Sequence, residues 1–362
     1  MSRIRPFVAR DVPAVAEIKR IVFNWRRDAP AADREASIRA LFLDAPFCSP
    51  ALPSLVFEDD HGRVTGFKGV WPRDVHFHGE TLRMAVSTHL MVLPESRGMA
   101  GIALMREFLN GPQDVSRSDS ANDTARRLWA RLGGAPAPFE LLDWVRPLRP
   151  LRLTLAGVGN GAAMRVARAI ARPLVAPLDA VLGSARSSRY RVPPVTGSVV
   201  PLTAGDLSAR LEEDAASQRG LSPALDEASA DWLLEGLRRM PEGARLRATQ
   251  HTDSNGGRLG WSVRVAAPGG TSLVVKVGGD GARFGDVLDR LAADAHAEGA
   301  IALRGRALPS RMDACEARGC HFVHSGGFVL VHSRRREIAD SVVRGESALD
   351  RLDGEWPIIS LS

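Results

Sequence analysis

The two halves of this chain open alike. Val199-Val200-Pro201-Leu202 followed by Asp206-Leu207 echoes Ile4-Arg5-Pro6-Phe7 followed by Asp11-Val12. Behind each opening the hydrophobic pattern runs in a similar order: a meander of strands with glycine-containing turns, a glycine-containing loop that opens a helix, a further strand and a shorter helix. Repetition on the scale of a domain constrains the fold more than any single motif, because each copy must bury its own sheet under its own helices. With 362 residues the chain has room for two such units. The expected architecture is α/β (α+β), with two tandem, mixed, mostly antiparallel sheets flanked by helices and joined by a helical linker. The expected boundaries are a first domain at 1–147, a linker at 148–196, a second domain at 197–335 and a C-terminal tail at 336–362.

In the first half, Asp11 caps an amphipathic helix carrying Val15, Ile18, Ile21 and Val22, and a second helix fits 32–43. Strands are expected at 54–58, 64–71 and 75–77, then a long one at 82–93 that stops at Pro94. A helix at 102–109, a strand at 114–118 and a helix at 122–132, halted by Gly133-Gly134, complete it. The linker is set apart by its Arg-Pro pairs and by Pro173 and Pro177. Arg165, Arg168 and Arg172 among apolar neighbours permit peripheral membrane contact over 162–182. Prolines this close shorten any amphipathic face, and a packed helical linker is preferred.

Composition removes several function classes. A hydrophobic fraction of 44% with 25% charged residues suits a globular protein with real cores. There is no apolar run of about 18 residues for a membrane span and no signal-peptide core, so a cytoplasmic protein is expected. Cys48, Cys315 and Cys320 have neither disulfide-framework nor zinc spacing, and His76 and His78 lack a third ligand, so no metal is expected. The net charge of +6 comes from basic residues that are almost all arginine and dispersed, without a nucleic-acid motif, so no nucleic-acid partner is expected.

The chemistry-bearing segment is Met91-Val92-Leu93-Pro94-Glu95-Ser96-Arg97-Gly98-Met99-Ala100-Gly101-Ile102-Ala103. A strand ends at a proline, and a small-residue loop leads straight into a helix. The first turn of a helix leaves N–H groups unpaired and carries positive partial charge. Small residues at Gly98, Ala100 and Gly101 let a phosphate approach that backbone, and Arg97 adds a charge. Downstream, Asn122 opens a helix with Ala125, Leu128 and Trp129 at helical spacing and Gly133-Gly134 at its end. Together these segments resemble the GNAT superfamily of acyl-CoA-dependent N-acetyltransferases, from its pantetheine-binding strand and pyrophosphate loop to its later Asn-x-x-Ala helix. The resemblance implies a tandem GNAT-like fold and acetyl-CoA (or CoA) as cofactor. Backbone at Met91, Val92 and Leu93 would pair with pantetheine, and the amides of Arg97 through Ala103 would hold the pyrophosphate. Asn122, Ala125 and Trp129 would lie along the cofactor's arm.

Two departures stand out. Ala100 occupies a position where the family has glycine, and Trp129 replaces the tyrosine that often protonates the departing thiolate; an indole N–H has no useful acidity. The sole tyrosine, Tyr190, lies in the linker. A base must take a proton from the attacking amine, and the candidates near the cofactor strand are His89 and Glu80. The cognate junction of the second half carries Asp280, which would repel a pyrophosphate, so that half is expected to be degenerate. The expected function is acyl transfer, acetyl as the simplest case, to an amine of a small molecule, amino sugar or peptide. The alternative is a non-catalytic acyl-CoA-binding scaffold. Homodimer formation stays open.

Overall fold

A computed structural model of the chain describes all residues except 1, 27, 158–173, 184, 186–187, 240–243 and 362. The linker arginines Arg165, Arg168 and Arg172 lie outside the described residues. So does most of the stretch expected to touch a membrane; within its described end, Leu174, Leu178 and Val181 are exposed. Among the described residues no helix is long and apolar enough to cross a membrane.

Two sheets account for the strands, and helices flank both. The first contains β1 (Arg3–Pro6), β2 (Leu55–Glu58), β3 (Val64–Phe77), β4 (Glu80–Val92), β5 (Val115–Ala121) and the short β6 (Ala135–Pro136). The second begins with β7 (Leu142–Pro147) and β8 (Val199–Pro201), whereas β9 (Ser222–Ala224) returns to the first and pairs with β3. β10 (Arg245–Thr252), β11 (Arg258–Ala266), β12 (Thr271–Gly278), β13 (Ala302–Arg306) and β14 (His321–His324) belong to the second, and β15 (Phe328–Ser333) to the first. The first sheet is ordered β1-β2-β3-β4-β5-β15-β6 and the second β14-β7-β13-β12-β11-β10-β8. All neighbours are antiparallel except β4–β5 and β12–β13.

The compact units are discontinuous in sequence. One is Met1–Leu141 with Leu211–Leu237 and Gly326–Ser362, and the other is Leu142–Arg210 with Arg238–Ser325. They cut across the contiguous boundaries read from the sequence. β7, at the end of the 1–147 stretch, pairs with β13 and β14, while β15, from the 197–335 stretch, pairs with β5. The tail at 336–362 belongs to the first unit. Strand partners are chosen by non-local edge complementarity, which local periodicity does not carry.

Within the first unit, helix α1 (Val12–Phe23) and helix α2 (Ala31–Phe42) lie on one face of the sheet. Val15, Ile18, Ile38, Leu41 and Phe42 are buried there, the side that periodicity assigns to the core. Helix α3 (Met99–Leu109) and helix α4 (Asp123–Arg131) pack through Met105, Phe108, Leu109 and Trp129 against Val70, Ala85 and Leu330. Full burial of each such side chain is worth about 1.5–3 kcal/mol. Expected strands at 64–71 and 75–77 are one strand here. Pro72 sits inside β3 opposite Ala85 without ending it, against the usual confinement of proline to edges.

Candidate active site

β4 and β5 run parallel only from Met84–Val115 to Val86–Arg117. Beyond that they part. Ser87–Val92 keep β3 on one side, Ser118–Ala121 keep β15 on the other, and the edges facing each other are unpaired. A bulge sharpens the divergence: the register between β3 and β4 shifts so that Lys68 faces Leu90 and Gly69 faces Thr88, leaving His89 as the extra residue. His89 takes φ 44°, a strained left-handed value for a non-glycine residue.

At the far end of the opened strand the glycine-containing loop meets α3. Gly98 is the N-cap with φ 96° and ψ −85°, and no side chain caps it. The first intrahelical bond runs from the Ile102 N–H to the Gly98 carbonyl at 3.2 Å, so the N–H groups of Met99, Ala100 and Gly101 precede it. A Cβ at Gly98 would meet nothing within 4 Å, and one at Gly101 only Val92 at 3.8 Å. Arg97, Gly98 and Met99 are exposed, and Ala100 is buried with its methyl in the core. These residues leave a diphosphate free access to main-chain donors, the fit the cradle requires. Met91 is fully buried; Val92, Leu93 and Ile102 line the run toward the loop, with Ala103 following in the first turn of α3.

The cognate junction in the second unit differs. Asp280 accepts from the Ala282 N–H at 2.9 Å, so its own carboxylate fills the cap. Arg311 Nη1 donates to the Val277 carbonyl on β12 at 2.8 Å. Gly279 is needed because a Cβ there would lie 2.6 Å from Gly260 Cα.

Two groups that the sequence reading missed sit where β4 and β5 part. Lys68, on β3, is 1% exposed, and its Nζ donates to Ser87 Oγ at 2.7 Å and to the Thr88 carbonyl at 2.8 Å. Glu355 comes from the C-terminal tail. It accepts from Ser118 Oγ at 2.9 Å and from the Ser120 hydroxyl, while its N–H donates to Asp119 Oδ1 at 2.7 Å. Burial pushes the Lys68 ammonium down and the Glu355 carboxyl up, each opposed by the charge of the other. Asp119 raises Glu355 further. The signal available in sequence was a lysine inside an apolar strand and, for Glu355, the acidic composition of the tail at 349–356.

The other expected residues fall as follows. Glu80 stands away from the opened edge. It lies at the opposite end of β4, paired with Arg335 at 2.7 Å, several residues of strand from the opened edge, because β4 starts there. His89 is in the opened strand, but burial, with Lys19 and Lys68 adding, pushes its imidazole down to about 3, too low to accept a proton near neutral pH. Its Nδ1 is 2.8 Å from Thr88 Oγ1. Trp129 is 1% exposed, its ring 6.1 Å from Phe108 in the core, and it fixes Gly134, where a Cβ would meet it at 2.8 Å. Asn122 caps α4, accepting from the Ala125 N–H at 2.9 Å. Ala125 is half-buried against the core. Among the described residues, no group of three His, Cys, Asp or Glu side chains could hold a metal ion.

No family model matches the sequence, and no curated protein matches it. Solved structures do. A probable N-acyltransferase from Enterococcus faecalis V583 aligns over 92% of this chain and 73% of its own at 15% identity, with a TM-score of 0.60. A GCN5-related N-acetyltransferase from Anabaena variabilis aligns over 92% and 73% at 13% identity, with a TM-score of 0.59. Another from Kribbella flavida aligns over 94% and 73% at 16% identity, with a TM-score of 0.57. The chain has a GNAT-like fold.

Proposed function

We propose that this protein transfers an acyl group, acetyl as the simplest case, from acyl-CoA to an amine. The observation that carries the reading is the opened β4–β5 edge, with uncapped helix amides at one end and two buried titratable groups, Lys68 and Glu355, at the other. A fold shared at low identity supplies the frame, and the roles are argued from this chain's own residues.

Arg97 and the amides of Gly98 through Ala103 would hold the diphosphate, and the backbone of Met91, Val92 and Leu93 the pantetheine amides. Asn122 and Ala125 flank that arm. The strand amides beside the His89 bulge are fixed dipoles that would stabilise charge developing on the thioester oxygen. Glu355, a carboxylate whose proton affinity burial has raised, accepts the proton lost by the attacking amine. Lys68, whose ammonium burial has weakened, gives a proton to the departing thiolate. That exchange takes the place of the missing tyrosine and leaves Lys68 and Glu355 to pass the proton back.

Equilibrium dialysis with acetyl-CoA tests the cradle: Arg97→Glu should weaken binding at least about 10-fold, while Arg283→Glu should not. A thiol-release assay over a panel of amines tests turnover. Binding without release on any amine would favour the acyl-CoA-binding scaffold instead.

A further inference from the structure

On the α1–α2 face, close to the bulge, two buried donors have no acceptor. Lys19 is 2% exposed, and neither its Nζ nor the Nε1 of Trp25 has a hydrogen-bond partner among the described residues. They are neighbours, since the Lys19 ammonium stands 3.8 Å from the centroid of the Trp25 ring. Arg26 stacks on the same ring at 5.4 Å. Asn24 and Arg26 both hold positive φ, 52° and 42°. His89 lies across the same space, its ring 6.1 Å from Phe23 and 5.5 Å from Phe42. Its downward shift registers the nearby Lys19 charge.

An unmade buried hydrogen bond costs about 1–3 kcal/mol, and native interiors leave few. Two donors side by side, one of them a cation, with the Arg26 cation on the same ring, lack one thing, an anionic oxygen. The choice of lysine adds to this. Of 48 basic residues only Lys19, Lys68 and Lys276 are not arginine, and all three are under 5% exposed. Where a fixed surface charge suffices, this chain uses arginine; a buried lysine differs in being able to gain or lose its proton.

We propose that the acyl acceptor is an amine that also carries a carboxylate, and that Lys19 Nζ and Trp25 Nε1 receive that carboxylate beside the β4 bulge. The inference rests on the acyl-transfer reading and names its substrate class. Arg26 supplies the outer charge, and the rings of Phe23 and Phe42 pack edge-on against His89 beside the site. A polycationic acceptor would face Lys19, Arg26 and Lys68 with like charge.

Two experiments separate this inference from the reading beneath it. The first needs no cofactor. N-acetyl amino acids, the products such an acceptor would give, are titrated into the full chain while the indole N–H resonance of Trp25 is followed, assigned with Trp25→Phe. The free carboxylates should shift that resonance and the matching N-acetyl amino-acid amides should not. Equal shifts, or none with either set, overturn the proposal whatever acetyl-CoA does. The second measures kcat/KM for amino acids against amino-acid amides. The carboxylates should be favoured by about 100-fold, and Lys19→Met should bring the ratio below about threefold. A ratio unchanged in Lys19→Met, or amides preferred in the parent protein, overturns it. Failure of acetyl-CoA to bind in dialysis removes the acyl-transfer reading and the acceptor role with it, whereas carboxylate binding at Lys19 and Trp25 is decided by the first experiment alone.

Discussion

Lys19 shows how one buried side chain links stability to chemistry. Burial, with the Arg26 charge adding, brings its ammonium down to about 7, against about 10.4 in an unfolded chain. Between those values the unfolded state binds more protons than the folded one, so this residue's contribution rises with pH, and its full penalty falls at and below neutrality. Lys19→Met should therefore stabilise the protein at neutral pH by about 2 kcal/mol, after discounting the lost stacking on Trp25. The gain should shrink to nothing as pH climbs toward 10.4. Paired thermal melts across that range check the sign; a gain that grows with pH would contradict it. Glu355 is predicted to act on rate. Glu355→Gln keeps the hydrogen-bonding shape but not the proton affinity, so kcat should fall about 100-fold or more with little change in acetyl-CoA affinity. Equal losses in kcat and in acetyl-CoA binding would instead mean that the tail only holds the fold. Of these residues, sequence made Arg97 and Gly98 visible because a local motif carried them. Lys68 read as an ordinary strand position, and Glu355 lies 237 residues from Ser118, beyond the reach of any motif.

At the level of elements, strand and helix order was largely legible. The expected strand at 82–93 is β4 at Glu80–Val92, and the expected helix at 122–132 is α4 at Asp123–Arg131 with Asn122 as its cap. Periodicity and caps are local, so they survive without tertiary information. Strands expected at 64–71 and 75–77 merge through Pro72, whose missing N–H is tolerated because β4 holds the register on its neighbouring edge. The loop before α3 makes a further prediction. Gly98→Ala adds a methyl to open space but forces φ 96° on an L-residue, at a cost of about 1–3 kcal/mol. If the loop relaxes to avoid that strain, its amides turn away from the diphosphate. A lower melting temperature should then come with weaker acetyl-CoA binding in dialysis, and Gly62→Ala, at a similar φ of 76° in an exposed turn with open space, should lose stability alone.

For the whole molecule, the strand exchange decides what can stand alone. A fragment of residues 1–147 lacks β15, which covers one edge of β5, and retains β7 without β13 or β14. Unpaired edges of that kind associate. The fragment should run as aggregate in size-exclusion chromatography and bind no acetyl-CoA; a folded, CoA-binding monomer would show that β15 is dispensable. Sequence repetition correctly suggested two sheets but could not say which strand closes which, since the repeat gives equivalent strands equivalent patterns.

That exchange also sets a timetable for synthesis. A ribosome adds about 5–20 residues per second, so β5 emerges well before β15 and Glu355 are made. Until then its open edge is available to any other extended segment, and slow, long-range pairing of this kind prolongs the exposure. The nascent chain should thus need a holding chaperone more than a protein of equal size built from contiguous domains, and the contacts of Glu355 with Ser118 and Ser120 form late in translation.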